Sequence, residues 1–310
     1  GKTFTLIGLA MELKRLGKAN KPMIAVQNST ARQFASAIKQ AYPGAKVLIA
    51  DDKTFTQQNR RKFTAKMATG DWDIILVAHS QINLIPSSKE AVDAYMDEQT
   101  AELKEAINIA SATKQSKKTV KDLEKQLSAL EEKRKKMLAQ LADRQDSALT
   151  FEEIGVDALL VDEAHMFKNT PLVTKKANIK GIKNGESQRA INMSIKTQSI
   201  QSKRNGQGVF FATGTPVTNT MAEAYTMMKY VSPKLLIDAG ITSFDEFANT
   251  YGDTKTSVEP TWKGNLEPVT RFSQFVNGQA LINLVRSSWD VEMSAEKAGM
   301  KRPEVKGGKP

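Results

Sequence analysis

The stretch "LLVDEAHMFKNT", Leu159–Thr170, decides how the rest of the chain is read. An apolar run ends in two adjacent acids, Asp162 and Glu163, followed by His165 and then by Lys168-Asn169. A run that is apolar at every position, rather than at alternate ones, is what a strand buried on both faces requires. Four other runs share that character: "MIAVQ" (Met23–Gln27), "KVLIA" (Lys46–Ala50), "DIILVA" (Asp73–Ala78) and "GVFFAT" (Gly208–Thr213). Helix signals lie between them. Leu6, Leu9, Ala10, Leu13 and Leu16 recur at spacings of three and four within Phe4–Leu16, and the pattern stops at Gly17. Ser29 or Thr30 is placed to cap a helix carrying Phe34, Ala37 and Ile38, and Gln57–Thr69 carries Phe63 and Met67. Strands alternating with helices predict an α/β fold, a mostly parallel sheet covered by helices.

One segment breaks the alternation. Between residues 87 and 148 no strand pattern occurs, and Val120, Leu123, Leu127, Leu130, Arg134, Met137 and Leu141 alternate spacings of three and four. That is a coiled-coil seam interrupted once, by the arginine. Val92, Met96, Leu103, Ala106 and Ala110 supply a facing helix, with the turn near "SATKQSKK", so the spacing predicts an inserted antiparallel helical hairpin. Lys114–Lys136 holds nine basic and four acidic residues, which reads first as a solvated helix face and second as a nucleic-acid contact.

Composition narrows the classes. The 310 residues carry a net charge of +11, which hints at a polyanionic partner. There is no cysteine, so disulfides and thiolate metal sites are excluded, in keeping with a reducing, cytoplasmic setting. With only two histidines, a histidine-rich metal cluster is excluded too. No apolar run approaches the roughly 18 residues of a membrane span.

The first residues matter most for chemistry. Gly1-Lys2-Thr3 has the form of the last three residues of a phosphate-binding loop, G-x-x-x-x-G-K-[ST], and runs directly into a helix. Helix-start N–H groups cradle phosphate oxygens, a lysine neutralises the β- and γ-phosphates, and a threonine hydroxyl ligates Mg²⁺. The tripeptide alone is common. Paired with acids at the end of a buried strand it gains meaning, because the crevice of a parallel sheet opens at the carboxyl ends of its strands. Asp162 is then the metal carboxylate and Glu163 the group that polarises the attacking water. On this reading the chain starts inside its phosphate loop, and the sheet should lack one interior strand.

The motifs resemble a known family. "DEAH" at Asp162–His165, continuing into "MFKN", and "ATGTPVTN" at Ala212–Asn219 are similar to motifs II and III of superfamily-two helicases, the DEAH-box proteins. More narrowly they resemble Swi/Snf-type DNA translocases and the helicase regions of large phage and plasmid proteins that also carry DNA methylase segments. The resemblance covers residues 1–231 and implies a first RecA-like P-loop lobe that uses ATP and Mg²⁺ and acts on DNA, usually duplex. It implies a nucleotide site at Gly1, Lys2 and Thr3, metal ligation by Thr3 and Asp162, and hydrolysis through Asp162 and Glu163. His165 would couple that site to motif III at Thr213, Gly214 and Thr215. Gln27, Asn28, Ser29 and Ser80 would face the nucleic acid, Lys168 and Asn169 would do likewise or simply support the loop, and His79 is read as core packing.

Domain expectations follow. Residues 1–86 and 149–231 form the ATP-binding lobe, 87–148 the insert, and 232–310 a mainly helical extension leading to a second RecA-like lobe in the same full-length chain. Met221, Tyr225 and Met228 are expected in the core; Trp262, Trp289 and Arg271 are candidates for nucleic-acid contact, with packing the plainer use. Without a second lobe and its arginine, the piece is expected to hydrolyse ATP barely or not at all. Two alternatives stay open: a non-catalytic nucleic-acid-binding or scaffold module with this fold, and an RNA helicase.

Overall fold

The computed structural model describes the chain except residues 52–53, 114–116, 145–147, 176–178, 181, 183–186, 219, 261–265 and 290–310. The hairpin turn at 114–116, Asn219 at the end of the third motif, Trp262 and the "KRPEVKGGKP" tail therefore lie outside the described residues. No helix among the described residues is long and apolar enough to cross a membrane.

The main sheet takes all five strands that the apolar runs predict: β1 (Pro22–Val26), β2 (Val47–Ala50), β3 (Ile74–Ala78), β4 (Ala158–Asp162) and β6 (Val209–Ala212). They pair in the order β2-β3-β1-β4-β6, all parallel. Every residue of β1, β3 and β4 is buried, as uniformly apolar central strands must be. Side-chain alternation splits these residues between two cores. Ile24, Val26, Ile74, Leu76 and Leu160 face α1 (Lys2–Arg15) and α2 (Ala31–Ala41), meeting Leu6, Ile7, Phe34 and Ile38. Met23, Ala25, Ile75, Leu159 and Val161 face the other way, onto Met67 of α3 (Arg60–Thr69), Phe151 of α7 (Phe151–Ile154), Met193 of α8 (Gln188–Lys203) and Tyr230 of α9 (Met221–Val231). The result is an α/β lobe, a parallel sheet with helices packed on both faces.

The expectation of a missing interior strand is corrected here. The five strands pair without a gap, and β6, which leads into the third motif, is an edge strand whose last three residues are only half-buried. The expectation assumed that the loop-bearing strand lies among the five; the pairing shows them contiguous.

The insert is the antiparallel pair α5 (Lys89–Ala112) and α6 (Lys117–Arg144). Ser88 caps α5 by accepting from Ala91 N at 3.1 Å. Val92, Met96 and Met137 pack together at one end, with Ile191 and Ile195 of α8; Leu103, Ala106, Ala110 and Leu123 pack at the other. Arg134, the one polar seam residue, bonds Asp93 at 2.6 Å and Asp97 at 2.6 Å, so the interruption is used as a cross-helix tie. The short α4 (His79–Leu84) precedes the insert.

The extension differs from its mainly helical expectation. After α10 (Pro233–Asp238) and α11 (Phe244–Tyr251) comes an antiparallel ribbon, β7 (Gly252–Pro260) with β8 (Leu266–Phe275), followed by α12 (Gly278–Ser288). The short β5 (Ile179–Lys180) joins β8 in parallel. Most of β7 is solvent-exposed, so no apolar period marks it in the sequence. Arg271 forms a two-point pair with Glu259 across the ribbon, at 2.6 and 2.7 Å. Met221, Tyr225 and Met228 are buried as expected, with Phe244, Phe247 and Leu281.

Candidate nucleotide site

The acids stand where the sheet opens. Asp162 is the last residue of β4, and Glu163 turns the chain with φ +48° into a 3₁₀ turn over Ala164–Phe167. The left-handed conformation is costly for a non-glycine residue, on the order of 1–3 kcal/mol. It directs the Glu163 carboxylate to Lys2 and His165 at once. Lys2 Nζ donates to Glu163 Oε1, and His165 Nδ1 lies 3.2 Å from Oε2. The same His165 Nδ1 is 3.1 Å from Thr213 Oγ1, which in turn accepts from Thr215 N at 3.1 Å. Residues from the two ends of the lobe thus form one continuous chain: Lys2, Glu163, His165, Thr213, Thr215. A Cβ built on Gly214 would sit 4.0 Å from Lys2 Nζ, so the third-motif turn lies against the lysine.

Asp162 differs from its neighbour. It is 5% exposed, and its Oδ1 is buried with no hydrogen-bond partner. Burial raises its carboxyl above the ordinary range, the adjacent Glu163 charge adds to this, and Lys2 pulls it back. A buried, unpaired carboxylate oxygen is the donor type a hard divalent cation takes up. No group of three or more His, Cys, Asp or Glu suited to a metal occurs among the described residues, so protein carboxylates alone do not build a cage. That fits Mg²⁺, which characteristically keeps waters and phosphate oxygens beside one or two carboxylates. Gly1 is the N-cap of α1, and Thr3, half-buried, is in its first turn.

The residues nominated for nucleic acid divide. Asn28, after β1, donates to Ser80 Oγ at 2.7 Å, so neighbouring strands β1 and β3 bring the two to one sheet end. Ser29 is exposed beside them, and Asn169 is exposed beyond the 3₁₀ turn. Gln27 donates to Met166 Sδ at 3.3 Å. Lys168 takes the loop-supporting one of its two expected uses: its ammonium is 2.8 Å from Glu223 and 2.6 Å from Thr218 Oγ1, so it faces the third-motif loop. Glu223, 8% exposed on α9, also accepts from Thr218 N at 2.7 Å. The lysine thereby holds the loop that follows Gly214 to the acid-box segment, a second tether beside His165–Thr213. Sequence reading missed Glu223 and Thr218. The only local signal was the capping pattern Thr220-x-x-Glu223; Thr220 does cap α9, at 3.4 Å, while the Glu223 carboxylate goes elsewhere.

His79 is buried against Phe167, ring centroids 4.9 Å apart, as core packing requires. Neither ring nitrogen has a hydrogen-bond partner, although the backbones of Asp162 and Ala25 are close.

The family model described as "Probable helicase domain" matches residues 1–291. The chain belongs to this helicase-domain family. The superfamily-two resemblance of its acid box and third motif agrees with that membership. Among curated proteins it is 24% identical over 255 residues to defense against restriction protein B of Escherichia phage P1, covering 80% of this chain and 11% of that protein. The chain thus spans about a ninth of the length of that relative. Among solved structures it is similar to the Sulfolobus solfataricus SWI2/SNF2 ATPase core in complex with dsDNA, with a TM-score of 0.41 and 14% identity, over 81% of this chain and 32% of that one.

Proposed function

We propose that this helicase-family lobe binds ATP with Mg²⁺ and, within its full-length protein, drives movement along duplex DNA in the manner of a Swi/Snf-type translocase. One observation carries the reading: the lysine, the water-polarising acid, the histidine and the third-motif threonine form a single bonded chain. In this reading the bound triphosphate and its Mg²⁺ supply the scissile bond and a Lewis acid. The protein's own groups do the rest. Lys2, freed from Glu163, neutralises phosphate charge, and Asp162 Oδ1 with the Thr3 hydroxyl holds the metal. Glu163 then becomes available to orient and deprotonate water. Any change in Glu163's partners is felt at His165, and through Thr213 at the turn that carries Gly214 and Thr215. The exposed end of β1 and β3, with Asn28, Ser29 and Ser80, supplies uncharged donors for a nucleic-acid backbone.

The test is ATP hydrolysis by the full-length protein with duplex DNA, single-stranded DNA or RNA added. Duplex DNA is expected to stimulate most. Glu163→Gln should lower turnover by about 10²–10⁴-fold while leaving nucleotide binding, and Lys2→Ala should weaken nucleotide binding. Stimulation by RNA alone would move the protein to the RNA-helicase reading. Undiminished hydrolysis in Glu163→Gln would remove the assignment of the acid.

A further inference from the structure

A cavity of about 370 Å³ lies on another side of the lobe, walled by α5, α8, α9 and Thr170-Pro171. None of Lys2, Asp162, Glu163 or His165 lines it. Its size is within the range of small-molecule sites, roughly 300–1,000 Å³, and far above the space one water needs.

Its polar wall is built but incomplete. Tyr95 and Gln99, one helical turn apart on α5, line the cavity and are 6% and 4% exposed. Neither the Tyr95 hydroxyl nor the Gln99 amide makes a hydrogen bond among the described residues, and neither is sealed off from the cavity. Buried groups of this kind are disfavoured unless something pairs with them. Their neighbours are already satisfied: Gln201 donates to Tyr230 O at 2.7 Å, Gln198 to Glu98 at 2.6 Å, and Thr226 shares a hydrogen with Thr170 at 3.3 Å.

The buried charge is paired. Lys229 sits 3.3 Å from Glu98 and 3.5 Å from Glu102, and Lys234, which also lines the cavity, is solvent-exposed. Burial works against a charge on Lys229, but Glu102, Tyr225 and Glu98 around it hold the ammonium above its ordinary range. The Lys229 charge is used up internally, and a charged occupant would have to break that pair to reach it.

We propose that this cavity binds an uncharged small molecule presenting a hydrogen-bond donor and acceptor side by side, the edge carried by a primary carboxamide or a nucleobase. The Gln99 amide, donor beside acceptor, pairs with such an edge at two points, and the Tyr95 hydroxyl makes a third contact. The occupant would bridge the insert to α9 and to Thr170-Pro171, which follow Asn169. This inference does not depend on the ATPase reading.

Saturation-transfer NMR on the full-length protein tests it, with nicotinamide, uracil and nicotinate as probes and excess ATP present. Nicotinamide or uracil should bind, and nicotinate, the same ring with a carboxylate, at least tenfold more weakly. Gln99→Leu should weaken the bound probe at least tenfold without lowering the melting temperature. Tyr95→Phe, which removes one oxygen, should weaken it several-fold and decides the matter should Gln99→Leu fail to fold. The proposal is overturned by absence of binding for both neutral probes, by equal binding of nicotinate, by displacement with ATP, or by unchanged affinity in a folded variant. Gln99→Leu raising the melting temperature with no probe bound would mean the cavity holds water only.

Discussion

His79 shows what one buried titratable side chain does to this lobe. It begins α4, 5% exposed, and burial lowers its pKa to about 4. In the unfolded chain an imidazole titrates near 6.5. Between those values the unfolded state holds a proton that the folded state refuses, so stability falls as pH drops through 6.5 and the loss is complete near 4. From pH 7 to pH 5 this one group should remove about 2 kcal/mol. Urea unfolding at both pH values measures it. His79→Leu should lose that share of the pH dependence, and an unchanged dependence would mean other groups govern it. His165 shows the opposite use of the same residue type. It is one-third exposed, with Nδ1 between Glu163 and Thr213, and its place beside the third motif was legible in the sequence because the acid box and third motif come as a pair. The short-range pattern around His79, an apolar strand before it, is what marked it as core.

At the scale of elements, two cross-links join the acid-box segment to the third-motif loop, and they differ in kind. His165–Thr213 is a partly exposed contact between a ring nitrogen and an uncharged hydroxyl, at 3.1 Å. Lys168–Glu223 is mostly buried, at 18% and 11% side-chain exposure, and anchors the start of α9. Removing one member of a buried pair leaves the other uncompensated, whereas removing both does not. Lys168→Met should therefore cost about 2 kcal/mol. The double variant Lys168→Met/Glu223→Met should cost less than the sum of the single changes. A double-mutant cycle by chemical denaturation reads this as a coupling of at least about 1 kcal/mol. Additive single effects would mean that the pair does not act as a unit. This tether was illegible in the sequence, since its partners lie far apart in the chain and each has a plain local explanation. The β7–β8 ribbon was illegible for another reason. Its β7 strand is exposed along almost its whole length, so no apolar period marks it in the sequence. The central strands and the α5–α6 seam were legible because burial imposes a pattern on them. Even Arg134 kept its seam position, by meeting two aspartates in place of an apolar partner.

For the whole molecule, the +11 charge and the sheet end near Asn28 make separable claims about nucleic acid. Each phosphate neutralised by a cation releases counterions, so the logarithm of affinity falls with the logarithm of salt by about 0.9 per contact. Gln27, Asn28, Ser29 and Ser80 are uncharged and contribute nothing to that slope. Lys168, the charged member of the sequence-nominated set, is spent on Glu223. On α6, Lys121 and Lys125 are exposed but flanked by Asp122 and Glu124, a mixed face of the solvated type. Asn28→Ala should therefore weaken duplex binding by a similar factor at every salt concentration and leave the slope intact. Lys121→Glu/Lys125→Glu should shift the slope by less than about 1, the size of one phosphate contact. Fluorescence anisotropy of a labelled duplex, titrated from about 50 to 200 mM salt, distinguishes the cases. A slope that collapses by about 2 in the α6 double variant would make the insert a phosphate-binding arm, and the charge run would then be an interface instead of a solvated face.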